Sequence, residues 1–402
     1  MEEHPPRRGV QVNLLATYLR RALLMALLCA GLTLGVAACG DSSDDDGGST
    51  GADTTADTGG SQPEQIGRGL TIGFVTVTNC ANPTICAVER SVRAEAEAAG
   101  AQAKVLEWSG ASNTSPVDAS IRNIDQLIAE HVDAIGIWPI DPNAAKAPMA
   151  RAAKAGIPVF VFDAFDTTNP NVISTITQGR ELQAKQAAEY FCGLRPEGGE
   201  VIYGDYALPI PSLQYLARAF RDHLERCSGG KITVAGVYQN ATDDVAGARR
   251  TAEPVLQSHP NVFGIDAYND ATSIGASQAA DSLGMRDKLK IAGYNMAPDG
   301  IDALKQGRLD ISWSYQPVVM GQLIARTMLE YVAGVNRSPA KLMTVWPKCY
   351  DSSTVGDAPS NDELLERVSN GDDLSEDEPA LVQRSSDVVH PADDLPGCTD
   401  AG

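Results

Sequence analysis

The chain predicts an α/β fold: two doubly wound parallel-sheet lobes joined by a multi-strand hinge. Three observations predict it. From Leu70 onward, short apolar runs alternate strictly with helix-patterned segments, as in sheets whose strands are connected through helices. The alternation breaks at a crossover near Ile173–Gln178 and then resumes with the same rhythm. The patterned part, Leu70 to Tyr350 of a 402-residue chain, is about 280 residues long, enough for two lobes with a core each.

In chain order, Thr71–Val77 is a continuous apolar run, as expected of a strand buried on both faces. Val88–Ala99 has helical spacing and stops at Gly100. Strands at Gln102–Trp108, Ala134–Trp138 and Pro158–Phe162 alternate with helices at Ser115–Glu130 and Ala144–Ala155. The phrase Ala155-Gly156-Ile157-Pro158 is helix end, turn and strand start in four residues. After the crossover come helix Arg180–Cys192, strand Glu200–Tyr203, helix Ser212–Cys227 and strand Ile232–Tyr238. Helix Asp243–Gln257, strand Val262–Ala267, helix Ala271–Leu283 and strand Lys290–Tyr294 follow. A short helix at Asp299–Gln306, a strand at Asp310–Tyr315 and a long helix at Val318–Val332 complete the pattern.

The ends of the chain differ from this middle. Arg7, Arg8, Arg20 and Arg21 precede an apolar stretch, Ala22 to Ala38, that ends Val36-Ala37-Ala38-Cys39. This resembles a bacterial lipoprotein leader with its lipobox, so cleavage before Cys39 and lipidation of Cys39 are expected; the alternative is an uncleaved membrane anchor. Either way, the remainder lies outside the cytoplasmic membrane. Residues 39–69 form an acidic tether rich in Gly, Ser, Thr and Asp, with a reach of about 30 Å. The formal net charge is −20, but residues 40–69 carry seven acids and one base, and residues 351–402 fourteen acids and two bases. The folded part is therefore near neutral, which argues against nucleic acid as a partner.

Outside the leader and Cys39, six cysteines remain: Cys80, Cys86, Cys192, Cys227, Cys349 and Cys398. An even number in an exported chain favours disulfides over a metal, and no C-x-x-C is present. Nearest-neighbour order favours Cys80–Cys86, Cys192–Cys227 and Cys349–Cys398 among the fifteen possible pairings. No cofactor is expected.

Several phrases together resemble type I periplasmic sugar-binding proteins of ABC transporters, the ribose and galactose type. They are Asn82-Pro83 after the first strand, His131-Val132-Asp133-Ala134-Ile135 leading to Trp138-Pro139, and Ala155-Gly156-Ile157-Pro158-Val159 with Asp163. Asn269-Asp270 with Gly275, Gly293-Tyr294-Asn295, and Gln316-Pro317 with Gly321 complete the set, which spans about residues 70 to 335. The resemblance implies that Asn82, Asp163 and Asn269 contact a sugar. Asn295 stands where the family usually has aspartate, and Tyr315 where a glutamine often sits, with Gln316 beside it. The departures are Thr84 and Ile85 in place of two stacking aromatics, Ala164 in place of an arginine, and Gln214 and Leu216 in place of basic residues. Phe165, Tyr206, Trp138 and Tyr268 are candidates for the missing rings. The implied candidate ligand residues are thus Asn82, Asp163, Phe165, Tyr206, Gln214, Asn269, Asn295, Tyr315 and Gln316.

The residue types suit that chemistry. Sugars present many hydroxyls and one weakly apolar face, which call for forked amides and carboxylates beside flat aromatic surfaces. Each residue also has a plainer role open to it. Asn82 before a proline is a common turn residue, Asp270 suits a helix cap while Asn269 suits ligand contact, and Trp138 and Trp313 suit a core. Asp163, closing an apolar strand, needs a partner. The sequence carries no Gly-x-Ser-x-Gly elbow, phosphate loop or His-Glu-x-x-His, so an enzyme is not expected.

The expected organisation is a leader at 1–38, a lipid-anchored linker at 39–69, an N-terminal lobe of 70–176 and 317–340, a C-terminal lobe of 177–316 and 341–355, and an acidic tail at 356–402, much of it disordered. Hinges are expected near Ile173–Gln178, Tyr315–Val318 and Arg337–Leu342. The expected function is that of a monomeric, lipid-anchored extracytoplasmic protein that delivers a small polar solute, a sugar above all, to an ABC transporter permease. The alternative is a sensory receptor of the same fold coupled to a membrane kinase or chemoreceptor.

Overall fold

The computed structural model describes residues 65–76, 79–80, 82–108, 115–164, 168–377 and 382–385. All belong to one compact unit, Ser61–Gly402. The leader, Cys39, Phe165 and Cys398 lie outside the described residues.

The first lobe is a seven-stranded sheet containing β1 (Thr71–Val75), β2 (Gln102–Leu106), β3 (Ala134–Ile137), β4 (Val159–Phe162), β5 (Val172–Gln178), β11 (Leu342–Val345) and β13 (Val382–Ser385), in the order β13-β11-β5-β4-β3-β1-β2. The second is a six-stranded sheet of β6 (Gly199–Tyr206), β7 (Ile232–Asn240), β8 (Gly264–Ala267), β9 (Lys290–Tyr294), β10 (Ile311–Ser314) and β12 (Lys348–Asp351), in the order β12-β10-β9-β8-β6-β7. Within each sheet the pairs are parallel, except that β13 and β12 join antiparallel at one edge. Every residue of β3, β4 and β8 is buried, which is why these strands are near-continuous apolar runs.

In the first lobe the helices are α1 (Pro83–Ala98), α2 (Pro116–Ala129) and α3 (Pro142–Lys154). In the second they are α4 (Arg180–Leu194), α5 (Pro211–Ser228), α6 (Val245–Ser258), α7 (Asp270–Ser282) and α8 (Pro298–Lys305). The first three begin alike: proline at the first helical position, preceded by Asn82, Ser115 or Asp141, whose side chain accepts from the opening amides. The long helix α9 (Pro317–Ala333) returns to the first lobe and packs on α1. Gly321 makes that approach possible, because a side chain there would run into the Val88 carbonyl and Ser91.

Four expectations are corrected. The pairing of β11 with β5 places Leu342–Val345 in the first lobe, although 341–355 is expected in the second. β5 is an interior strand of the first sheet, so residues 177 and 178 also belong there. Consequently the third crossing between lobes is Trp346–Pro347, not Arg337–Leu342. The acidic tail is not structureless: α10 (Asn361–Ser369) and α11 (Leu374–Asp377) fold against the first lobe, and β13 pairs with β11. The physical reason is that Leu365, Val368 and Leu374 on one side of an acidic segment provide a buried face.

Disulfides join Cys80 to Cys86 beside the N-terminus of α1, and Cys192 to Cys227 between α4 and α5. Cys349 is disulfide-bonded as well.

Candidate functional site

Strand direction decides where chemistry can collect. The carboxyl ends of β5 and β11 lead into the second lobe, and the carboxyl end of β10 leads back into the first. Because the sheets are parallel, the carboxyl ends of β1, β3 and β4 lie on the same edge as that of β5, and those of β6, β8 and β9 on the same edge as that of β10. Both lobes thus turn the loops that follow their strands toward the gap between them, where ligands of open α/β sheets bind.

On the first lobe, Asp163 follows β4 in a left-handed conformation, φ 49°, and is 5 % exposed. Its Oδ2 accepts from Nη2 of Arg180 at 2.9 Å. Arg180 is the first residue of α4, just past the first crossing, and is 7 % exposed. The pair therefore links the rim of one lobe to the first helix of the other. Burial raises the Asp163 pKa, and the Arg180 guanidinium pulls against that rise. Oδ1 of Asp163 and Nε of Arg180 are both buried and have no hydrogen-bond partner among the described residues. Asn82 is also on this rim, but its Oδ1 accepts from the amides of Thr84, 3.0 Å, and Ile85, 3.3 Å, so its oxygen caps α1.

On the second lobe, Asn269 follows β8 and engages both ends of its amide. Oδ1 accepts from Thr272 N at 2.9 Å and Nδ2 donates to Asp243 Oδ1 at 2.8 Å. The Tyr268 hydroxyl donates to the same oxygen. Tyr206, at the end of β6, lies against Tyr268 with ring centroids 5.4 Å apart. Asn269 is thus the cap of α7. Asp270, the expected cap, instead accepts from Ser312 Oγ at 2.7 Å and Ala297 N at 3.2 Å, which fixes the loops after β9 and beside β10. Asn295 follows β9 at φ 104°, with its amide donating to Trp313 O at 2.8 Å.

Tyr315 and Gln316 form the second crossing. Both are buried, and Gln316 takes φ 59° at the start of α9, with its Nε2 buried and without a partner among the described residues. The structure thus collects Asp163, Arg180, Tyr315 and Gln316 around the crossings, and Tyr206, Tyr268, Asn269 and Asp243 on the second rim. Gln214 is exposed on the first turn of α5. Trp138 packs on Phe162 with centroids 4.6 Å apart, and Trp313 stacks on Tyr294 at 5.3 Å, so both belong to cores.

Two residues were not foreseen. The signal for Arg180 is a charged residue opening a helix directly after a crossing strand and Gly179. For Asp243 it is an Asp-Asp pair after a strand, of which Asp244 caps α6 and leaves Asp243 free to turn elsewhere. A metal has little to hold it among the described residues. Cys80, Glu89 and Glu107 place ligand atoms within 4.8 Å of one another, but the Cys80 sulfur is bonded to Cys86, and burial beside Glu107 pushes the Glu89 pKa up to about 7.

Comparison with known proteins agrees with this fold. Residues 72–336 match the family model described as periplasmic binding protein domain. The ribose import binding protein of Bacillus subtilis is 25 % identical over 63 % of this chain and 78 % of its own length. The fructose import binding protein of Bifidobacterium longum is 25 % identical over 72 % of this chain and 87 % of its own. Among solved structures, a solute-binding protein of an ABC transporter from Burkholderia graminis, in complex with D-arabinose, superposes with a TM-score of 0.66 at 20 % identity, covering 73 % of this chain and 99 % of that one. A Mycobacterium smegmatis protein in complex with β-D-fucofuranose gives 0.66 at 20 % identity, covering 79 % and 99 %.

Proposed function

The chain belongs to the periplasmic binding protein domain family, and from that premise we propose that it captures a sugar between its lobes outside the cytoplasmic membrane and delivers it to an ABC transporter permease. The observation that carries the proposal is the buried, incompletely bonded pair at the lobe junction. Among the described residues, Asp163 Oδ1 and Arg180 Nε have no partner, which is costly unless another group or a bound molecule completes them. A hydroxylated ligand does so, since each hydroxyl both donates and accepts. Tyr206, packed on the buried Tyr268, offers it an aromatic face.

Binding then works by population shift. A ligand held by Asp163 and Arg180 on one side and by the second rim on the other favours the state in which both sets reach it. A permease that docks only on that state reads occupancy. The leader motif adds attachment through lipid at Cys39, which keeps the protein beside its permease; a Cys39→Ala chain that remained in the membrane fraction at full length would refute that attachment.

Thermal unfolding of the chain against pentoses, hexoses, polyols, nucleosides and amino acids tests the ligand class. A solute at 100 times its Kd adds about 2.7 kcal/mol, a rise of several degrees. The expected result is a shift with one sugar class that is lost in Asp163→Ala and Asn269→Ala. A shift confined to amino acids or nucleosides would replace sugar as the ligand class.

A further inference from the structure

Three crossings join the lobes: Gly179, Tyr315–Gln316 and Trp346–Pro347. The first and third lie against each other, since Gly179 N donates to Val345 O at 2.8 Å and a side chain at Gly179 would collide with the Trp346 ring. The acidic tail makes a fourth connection. After β12 the chain stays on the second lobe, where Val355 is buried in the core that contains Leu256, Ile291 and Leu304. Six residues later it is on the first lobe. Asn361 opens α10, Leu365 and Val368 are buried beside Val88 and Val92 of α1, and Asp362 pairs with Arg90 at 2.7 Å.

Five residues, Gly356 to Ser360, lie between Val355 and Asn361, and Ala358 among them also packs against the second-lobe core, which leaves Pro359 and Ser360 to make the passage. Two residues span at most about 7 Å, and Pro359 restricts one of them, so the link has little slack. Its far side is held firmly. Ser360 and Glu363 form a capping box at the start of α10, Leu374 N donates to Gln322 Oε1 at 2.9 Å, and β13 adds a strand to the sheet. Its near side is held by Val355 and Tyr350.

The link does not lie on the line of the other crossings. Two cavities, of about 720 and 520 Å³, separate it from the second crossing; Gln316 borders both, with Ala358, Pro359 and Leu364 of the tail opposite. The smaller one also has Pro83 and Cys86 of α1 on one wall and Pro298 and Ile301 of α8 on another, so it is bounded by both lobes. Lobes turn easily about a line through their connections. A short connection displaced from that line must lengthen or detach when they turn.

We propose that the tail from Val355 to Asp377, together with β13, is a strap that limits how far the two lobes separate. It keeps the ligand-free protein near the closed arrangement and so confines opening to the side of the gap away from the strap. This goes beyond the assignment of a ligand and does not depend on it.

The test is small-angle scattering of the full chain with ten Gly/Ser residues inserted between Ala358 and Pro359. The control is the same insertion between Gly229 and Gly230, in the turn that ends α5. No solute is added, so the outcome is independent of what the gap binds. The strap insertion is expected to give a larger radius of gyration and maximum dimension than the control, because the lobes gain freedom. Identical scattering from the two would overturn the proposal. Should the strap insertion fail to fold, amide exchange of the unaltered chain decides. Amides of 361–369 exchanging as slowly as those of 83–98 support a docked strap, and exchange as fast as that of an unprotected chain overturns it.

Discussion

At the carboxyl ends of the second lobe's strands, Asn269 spends both ends of its amide on Thr272 and Asp243, and Asp270 accepts from Ser312 and Ala297. At the matching edge of the first lobe, Asp163 Oδ1 and Nε of the facing Arg180 have no partner among the described residues. Asn269 and Asp270 complete their polar bonds with neighbours of their own lobe; Asp163 and Arg180 balance charge but leave bonds unmade among the described residues. The difference teaches where a ligand gains most. A completed network already has its hydrogen bonds and positions the rim, whereas an open one gains bonds only when something arrives.

The largest expected effect sharpens the contrast between the two carboxyls. Asp270 is buried and has no cation against it, and burial pushes its pKa up to about 8. In the unfolded chain it titrates near the ordinary value of about 4. The fold therefore holds a proton that the unfolded chain has released, and the stability tied to Asp270 is present in full below about pH 4 and lost as pH rises to about 8. Within that window the loss approaches about 1.4 kcal/mol per pH unit. Denaturant titrations at several pH values should show a steeper decline in the wild type than in Asp270→Asn, in which Asp163, Asp243 and Asp266, buried carboxyls with raised pKa values, still contribute; equal slopes would contradict the neutral-acid reading of this rim.

Next is the charge pair on the other rim. Arg180→Met strands Asp163 as a buried, unpaired carboxyl and should cost about 3–5 kcal/mol. Adding Asp163→Asn should recover most of that loss. A double variant no more stable than the single one would show that Arg180 matters through packing rather than charge.

Asn269→Ala tests the completed network and should cost about 1–2 kcal/mol, through the lost cap and the lost bond to Asp243. A cost below a few tenths of a kcal/mol in urea unfolding would mean that water replaces the amide readily. The smallest effect comes from a pair that shares the chemistry of Asp163–Arg180 without its burial. Arg151 and Asp125 meet at 2.7 Å with side chains 47 % and 46 % exposed. A double-mutant cycle should give about 0.2–1 kcal/mol; a coupling as large as that of the buried pair would remove burial as the explanation.

Much of the fold was legible because its signals are local. The alternation of apolar runs and helical segments, the glycine that ends a helix and the proline that begins one each act within a few residues, and the strands and helices from Thr71 to Ala333 follow them, except β5, whose residues read in the sequence only as a crossover. The start of α1 is less legible, although Asn82-Pro83 is a cap followed by a first-turn proline, because the same pair suits a turn or a ligand contact as well as a helix start. The strand β11 was missed because four residues are too few to show a period. The helix α10 carries a legible sign, Ser360 three residues before Glu363 and then Leu364-Leu365, which the density of acids obscured.

Of the candidate site, the resemblance to the sugar-binding family named Asp163, Asn269 and Gln316, and the fold places them after β4, after β8 and at the second crossing. Sequence did not mark Arg180 as the partner of Asp163, since the two are on different lobes and meet only where the first crossing ends. It also assigned the cap to Asp270 rather than Asn269, an assignment reversed by Ser312 and Ala297, which approach Asp270 from distant elements. The sequence by itself determined which segments become strands and helices and which of their edges carry polar residues, because period and caps are properties of neighbouring residues. Only the tertiary structure decided which polar groups are left open, which are completed, and that the acidic tail crosses between lobes. Those outcomes depend on contacts between residues far apart in the chain, and burial sets their energies.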